Sequence, residues 1–216
     1  MFGPDFGWRL MWLPISILSL SFHEFAHAWS ASRLGDDTAA REGRLTLNPL
    51  AHIDFIGTLL LPLLGVPFGW AKPVPVNPAR FRRDVTMGRG MAITASAGPL
   101  SNVLLAVVSA ALLGLGVRFA PDLVSRESPA RFFLHAMLQM NVGLAIFNML
   151  PVPPLDGSRI VAWLLPYRLQ QQWHQLEQLA PFLLIGVFAF GGRLVSGPIY
   201  LVTDLLLGLA RTLALA

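Results

Sequence analysis

Residues 23–27 read HEFAH. In an α-helix, side chains four apart share one face with Cβ atoms ~6 Å apart, so His23 and His27 can aim two imidazoles at one ion while Glu24 projects beside them. This is the HExxH arrangement, in which two neutral imidazoles bind zinc and the glutamate takes a proton from a water on the metal. The competing reading is a buried, mutually satisfied histidine pair with a structural glutamate. It would leave three ionisable groups within five residues of an apolar helix, which is costly without a compensating ion. The chain has no cysteine, so a metal must be held by nitrogen and oxygen, and a disulfide framework is excluded.

A catalytic zinc usually takes three protein ligands and keeps its fourth position open. Glu42, Glu127 and Glu177 stand in polar connecting segments. Asp156 is better placed, in PLDG at the start of a predicted helix just after a proline-broken stretch. A helix N-terminus favours the ionised carboxylate, and Gly157 permits close backbone approach. Taken alone, without the HExxH, Asp156 reads first as an N-cap. Asp54, in a turn, and Asp204, on the last helix, compete with it. His52 reads as a turn residue or a group near the site; His135 and His174 read as interfacial.

The elements that must position these residues are apolar. Of the 216 residues, 54% are hydrophobic and 13% charged, against roughly 25% charged in an ordinary soluble domain, and mean hydropathy is +0.58. These values predict one membrane-embedded domain over residues 1–216. The formal charge of +4 gathers in connecting segments, which suits loops facing anionic lipid and argues against a nucleic-acid partner. A first helix is predicted over 8–32 and is expected to be retained rather than cleaved as a signal peptide. Arg33, Arg41 and Arg44 after it mark a cytoplasmic end. The apolar run 55–70 is broken by Pro62, Gly65 and Pro67 and is too short for a span of about 20 residues, so a re-entrant segment is expected. Lys72, Arg80, Arg82, Arg83 and Arg89 then return the chain to the cytoplasmic side. Long helices are predicted over 90–117, rich in Ala, Ser and Gly and so suited to the bundle centre, and over 131–150. A helix starts near Asp156, residues 168–178 read as a polar interfacial loop or surface helix, and apolar stretches follow at 179–190 and 195–215. The fold class is an all-α polytopic bundle of about five to six transmembrane helices, with a short re-entrant or β-like segment near residues 55–77.

Three segments together, HEFAH at 23–27, GPLSN at 98–102 and NMLPVPPLDG at 148–157, resemble the signatures of the site-2 protease family, the intramembrane zinc proteases of peptidase family M50. GWAKPVP at 69–75 and LNPLAHID at 47–54 resemble its compact bacterial subgroup, which lacks PDZ and CBS domains. The resemblance implies one Zn2+ on His23, His27 and Asp156, with Glu24 as the general base. It places Asn148, and with a weaker match Asn102, near substrate or the active site as substrate-binding residues, although both asparagines could instead join helices by hydrogen bonds. It implies a transmembrane protein as substrate, the lipid bilayer as surroundings, and a multi-pass location in the inner (cytoplasmic) membrane. A helical substrate must unwind before hydrolysis, and in a water-poor medium its freed backbone groups need new partners. Asparagine amides, or strand pairing with residues 70–77, would provide them.

Two other classes fit less well. A noncatalytic metal carrier or sensor would use the same three ligands, but no acidic path crosses the apolar segments. A zinc protease acting on prenylated proteins would need a downstream glutamate as its third ligand, and none is well placed. The residues leave the oligomeric state and the physiological substrate open.

Overall fold

The computed structural model describes residues 5–64 and 69–215. Helix α1 runs Asp5–Arg33, followed by the single turn α2, Thr38–Arg41. A π-helical turn, Phe55–Leu60, leads into α3, Leu61–Leu63. The long helices α4, Met87–Phe119, and α5, Pro129–Asn148, come next, and α6, Asp156–Leu164, α7, Tyr167–Gln178, α8, Ala180–Phe190, and α9, Gly192–Leu215, complete the chain. The helix starts carry local signals. The Thr86 hydroxyl accepts from Arg89 N at 3.4 Å, and the Ser128 hydroxyl accepts from Arg131 N at 3.1 Å ahead of Pro129. Each satisfies one amide that the first turn leaves orphaned.

Among the described residues, three helices are long and apolar enough to cross a membrane: α4, α5 and Leu194–Leu215 of α9. Helix α4 lies at the centre, as its small residues predict, packing against α1, α5, α6 and α9. Ala106 and Ala110 of α4 pack with Leu138 and Val142 of α5, and Val202 and Leu206 of α9 close over them. Ile15 of α1 packs with Ala136 and Met137 of α5. Small side chains let backbones approach closely where no hydrophobic drive separates protein from lipid. Outward, Leu100, Leu104, Leu201 and Leu205 are each more than 60% exposed, the inverse of a soluble protein and the surface a hydrocarbon solvent accepts.

The β-like alternative for residues 55–77 needs correction. No strand occurs among the described residues, and Gly69–Asn77 runs without helix or strand. Prolines 73 and 75 lack N–H groups and interrupt any ladder. Side chains hold the segment instead. The Thr58 hydroxyl donates to Trp70 O at 2.8 Å, Arg44 donates to Lys72 O at 2.5 Å and Pro73 O at 3.3 Å, and Asn77 N donates to Asp36 at 2.6 Å. Arg44, one of the three arginines that follow the first helix, is buried. Helical structure does cover Phe55–Leu63, about 14 Å at the usual rise and well short of a bilayer. The breaks expected at Gly65 and Pro67 fall outside the described residues.

Candidate metal centre

His23 and His27 project from α1 on one face, as their spacing requires, with ring centroids 4.6 Å apart. Asp156 arrives from the first turn of α6. It is not the cap of that helix: Leu155 holds the N-cap position, so the Asp156 carboxylate is free to turn inward. Its Oδ2 lies 3.2 Å from His23 Nε2 and 3.4 Å from His27 Nε2, and the two Nε2 atoms are 3.0 Å apart. Ligand atoms at ~2.0 Å from a tetrahedral zinc sit roughly 3.3 Å from one another. The observed triangle has that edge. Asp156 Oδ2 is buried without a properly aligned hydrogen bond, an arrangement that is costly unless a cation stands between these groups. Geometry and donor set both fit one zinc ion.

Each imidazole is oriented from behind. His27 Nδ1 donates to Thr94 O at 2.7 Å, and His23 Nδ1 donates to Asn102 Oδ1 at 2.6 Å. A ring whose Nδ1 carries the proton presents an Nε2 lone pair to the centre, the usual support of a metal-ligating histidine. Gly98 of α4 makes room for both rings, since a Cβ there would overlap His27 Nε2 and the Cε1 atoms of both histidines. Gly157 does the same for α6, where a Cβ would meet the Met149 and Leu150 carbonyls at the end of α5.

The three groups open onto a cavity of about 410 Å³, also lined by Glu24, Trp70, Val74, Asn148 and Arg159. Glu24 accepts from Val74 N at 2.8 Å through Oε2, so the irregular segment 69–77 lies directly over the carboxylate. Asn148 donates to Leu144 O at 3.0 Å and reaches the cavity wall. Asn102 does not: it is fully buried, with its oxygen on His23 and its amide on Asn141 Oδ1 at 2.7 Å. The expectation of Asn102 beside substrate is corrected to a place behind a histidine, the helix-joining alternative. Asn141 is a residue that sequence reasoning missed, because nothing local connects it to His23.

The remaining candidates lie elsewhere. Asp54 caps the π-helical turn, accepting from Ile56 N at 3.1 Å and Gly57 N at 2.7 Å. Asp204 is exposed and 3.8 Å from Arg211. His52 is buried against Thr46 O, His174 pairs with Glu177 at 3.1 Å on the surface, and His135 lines a separate groove beside Arg131 and Arg211.

The sequence model of peptidase family M50 matches residues 120–188, which include Asp156 but not the HEFAH segment. YwhC of Bacillus subtilis (strain 168), provisionally named a zinc metalloprotease, is 37% identical over 190 residues, covering 83% of this chain and 84% of YwhC. The chain belongs to peptidase family M50, the site-2 protease family. Two other relatives are longer. Rip2 of Mycolicibacterium smegmatis is 35% identical over 141 residues and Rip2 of Mycobacterium tuberculosis (strain H37Rv) 32%, each match covering 65% of this chain and 52% of the relative. Both carry the same provisional zinc metalloprotease description. No solved structure matches the chain.

Proposed function

We propose that this M50 chain is an intramembrane zinc endopeptidase that hydrolyses peptide bonds within transmembrane segments of other proteins. One observation carries the reading: two imidazole nitrogens and a carboxylate oxygen, from helices more than a hundred residues apart in the sequence, form a triangle of 3.0–3.4 Å beside the carboxylate of Glu24. On this reading His23, His27 and Asp156 hold a single Zn2+. A zinc ion there would polarise the scissile carbonyl and acidify a water.

The chain's own residues do the rest. Glu24 takes a proton from the attacking water, whose oxygen bonds to the carbonyl carbon. When the C–N bond breaks, Glu24 returns that proton to the leaving amine. Before this, Val74 N must give up Glu24 Oε2, because a carboxylate that accepts a backbone N–H is a weaker base. Asn148, on the cavity wall, offers an amide to substrate backbone that has left its helix. In segment 69–77 the Val76 N–H and the Val74 and Val76 carbonyls take no part in the anchoring bonds and can serve the same purpose.

The proposed setting is a single domain in the cytoplasmic membrane. Helices α1, α4, α5 and α9 cross it, α6 and α8 are shorter inserted segments that complete the five-to-six-helix bundle, and Phe55–Leu63 is a re-entrant turn. The basic run Arg80, Arg82, Arg83 and Arg89 supports a cytoplasmic position for the mouth of the cavity. The test is Glu24→Gln in a membrane reporter assay. Cleavage should fall to background while zinc content and folding stay at wild-type levels; undiminished turnover would remove Glu24 from the mechanism.

A further inference from the structure

Behind His23 a chain of amides runs through Asn102 of α4 to Asn141 of α5. Asn141 Nδ2 donates to Met137 O at 2.8 Å and to Ser19 Oγ at 2.9 Å. Asn102 Nδ2 donates to Asn141 Oδ1 at 2.7 Å and, more weakly, to Ser19 O at 3.5 Å. Asn102 Oδ1 then accepts from His23 Nδ1 at 2.6 Å. Both asparagines are fully buried, so water cannot substitute for a missing partner.

The chain has a direction, and a backbone carbonyl sets it. Met137 O can only accept, so Asn141 must turn its amide nitrogen toward it and its oxygen toward Asn102. Asn102 must then present its nitrogen to Asn141 and its oxygen to His23. That oxygen also only accepts, so the His23 proton is placed on Nδ1 and the lone pair on Nε2. Turning either amide over would bring two oxygens to 2.7–2.8 Å inside a protein core. His27 needs no such device, because its Nδ1 meets the Thr94 carbonyl directly.

We propose that Asn141 is a positioning residue that acts through Asn102 to lock His23 in the tautomer whose Nε2 can ligate a metal. This rests on the metal-centre reading above, but the tautomer is a property of the protein itself. Without Asn141 only the long Ser19 carbonyl contact orients the Asn102 amide. His23 then spends part of its time with the proton on Nε2, where it blocks the centre.

The test compares wild type, Asn141→Leu, Asn102→Asp and the double variant in detergent or nanodiscs. An aspartate at 102 presents oxygen to His23 whichever way it turns; Asn102→Asp alone sets a second oxygen against Asn141 Oδ1, a clash that Asn141→Leu removes. Zinc affinity by chelator competition should fall ~10–100-fold in Asn141→Leu, the usual cost of losing support behind a metal-ligating histidine. The double variant should bind zinc at least as tightly as Asn102→Asp. In the metal-free protein, 15N spectra of labelled histidine, assigned through His23→Gln, should show a purely Nδ1–H ring in wild type, a mixture in Asn141→Leu and Nδ1–H again in the double variant. Wild-type affinity and tautomer in Asn141→Leu would overturn the proposal. So would a loss of affinity or of folding in Asn141→Leu that Asn102→Asp leaves unrepaired, since that pattern marks a packing role. If wild type binds no zinc, the metal-centre reading fails, and the spectra still decide the lock.

Discussion

Gly98→Ala adds one carbon to the wall of the proposed metal centre. Built on the backbone, that Cβ lies 2.5 Å from His27 Cε1 and 2.6 Å from His23 Cε1, whereas ordinary contact begins at 3.4 Å. The two rings or α4 must therefore retreat by about 0.8–0.9 Å. Metal–ligand distances tolerate roughly ±0.2 Å, so a ring displaced that far no longer shares an ion with Asp156. Stability should change much less. Overpacking costs about 1–3 kcal/mol, and the gain from Gly to Ala inside a helix, about 1 kcal/mol, offsets part of it. The expected result is zinc affinity lowered ~10–100-fold or more, reporter cleavage lost to match, and a folded protein with a modestly lower Tm. Gly143→Ala on α5 is the control, because its Cβ would meet nothing within 4 Å; it should keep affinity and cleavage and melt slightly higher. A Gly98→Ala protein that binds zinc and cleaves like wild type would refute the crowding argument and with it the position assigned to the rings.

Arg44→Met removes the buried guanidinium that holds the Lys72 and Pro73 carbonyls. Leaving those acceptors unpaired should cost about 1–3 kcal/mol, and amide exchange at Val74 should quicken; unchanged protection at Val74 would show that the segment is held by other means. On the surface, Asp37 accepts from Arg41 and Arg80, the Arg41 bond foremost in holding its carboxyl below the usual value of 3.8. A depressed carboxyl contributes stability that is complete above that value and fades as pH falls through the folded pKa. Asp37→Asn should therefore melt slightly below wild type near neutrality and level with it in strong acid, and because both partners are solvated the gap stays small; a gap that widens on acidification would contradict the assignment.

The readable parts of the sequence were those whose physics is local. His23, Glu24 and His27 share one helical turn, so spacing alone placed two rings on one face. The small residues of α4 announced a central helix, whereas the predicted starts at 90 and 131 fell inside the observed ones at Met87 and Pro129, which the Thr86 and Ser128 caps fix. Asp156 was only half legible, because an aspartate opening a helix is as good a cap as a ligand, and distinguishing the two takes the position of α6 against α1. Asn102 was legible as important and misplaced in role, since an amide that orients a histidine and one that meets substrate look identical in sequence. Asn141, 39 positions beyond Asn102, left no local trace. Arg44 read only as one of the basic residues after the first helix, yet with Asp36 it is a buried anchor of segment 69–77, a partnership made by a return of the chain that no periodicity predicts.

The central claim is that one zinc ion is held by His23, His27 and Asp156. X-ray absorption on purified, zinc-loaded protein measures it most directly. The account predicts one zinc per chain, with two imidazole nitrogens and carboxylate and water oxygens at ~2.0–2.2 Å, and loss of the bound zinc in Asp156→Ala. A zinc shell that is unchanged in Asp156→Ala, or one lacking imidazole, would contradict it.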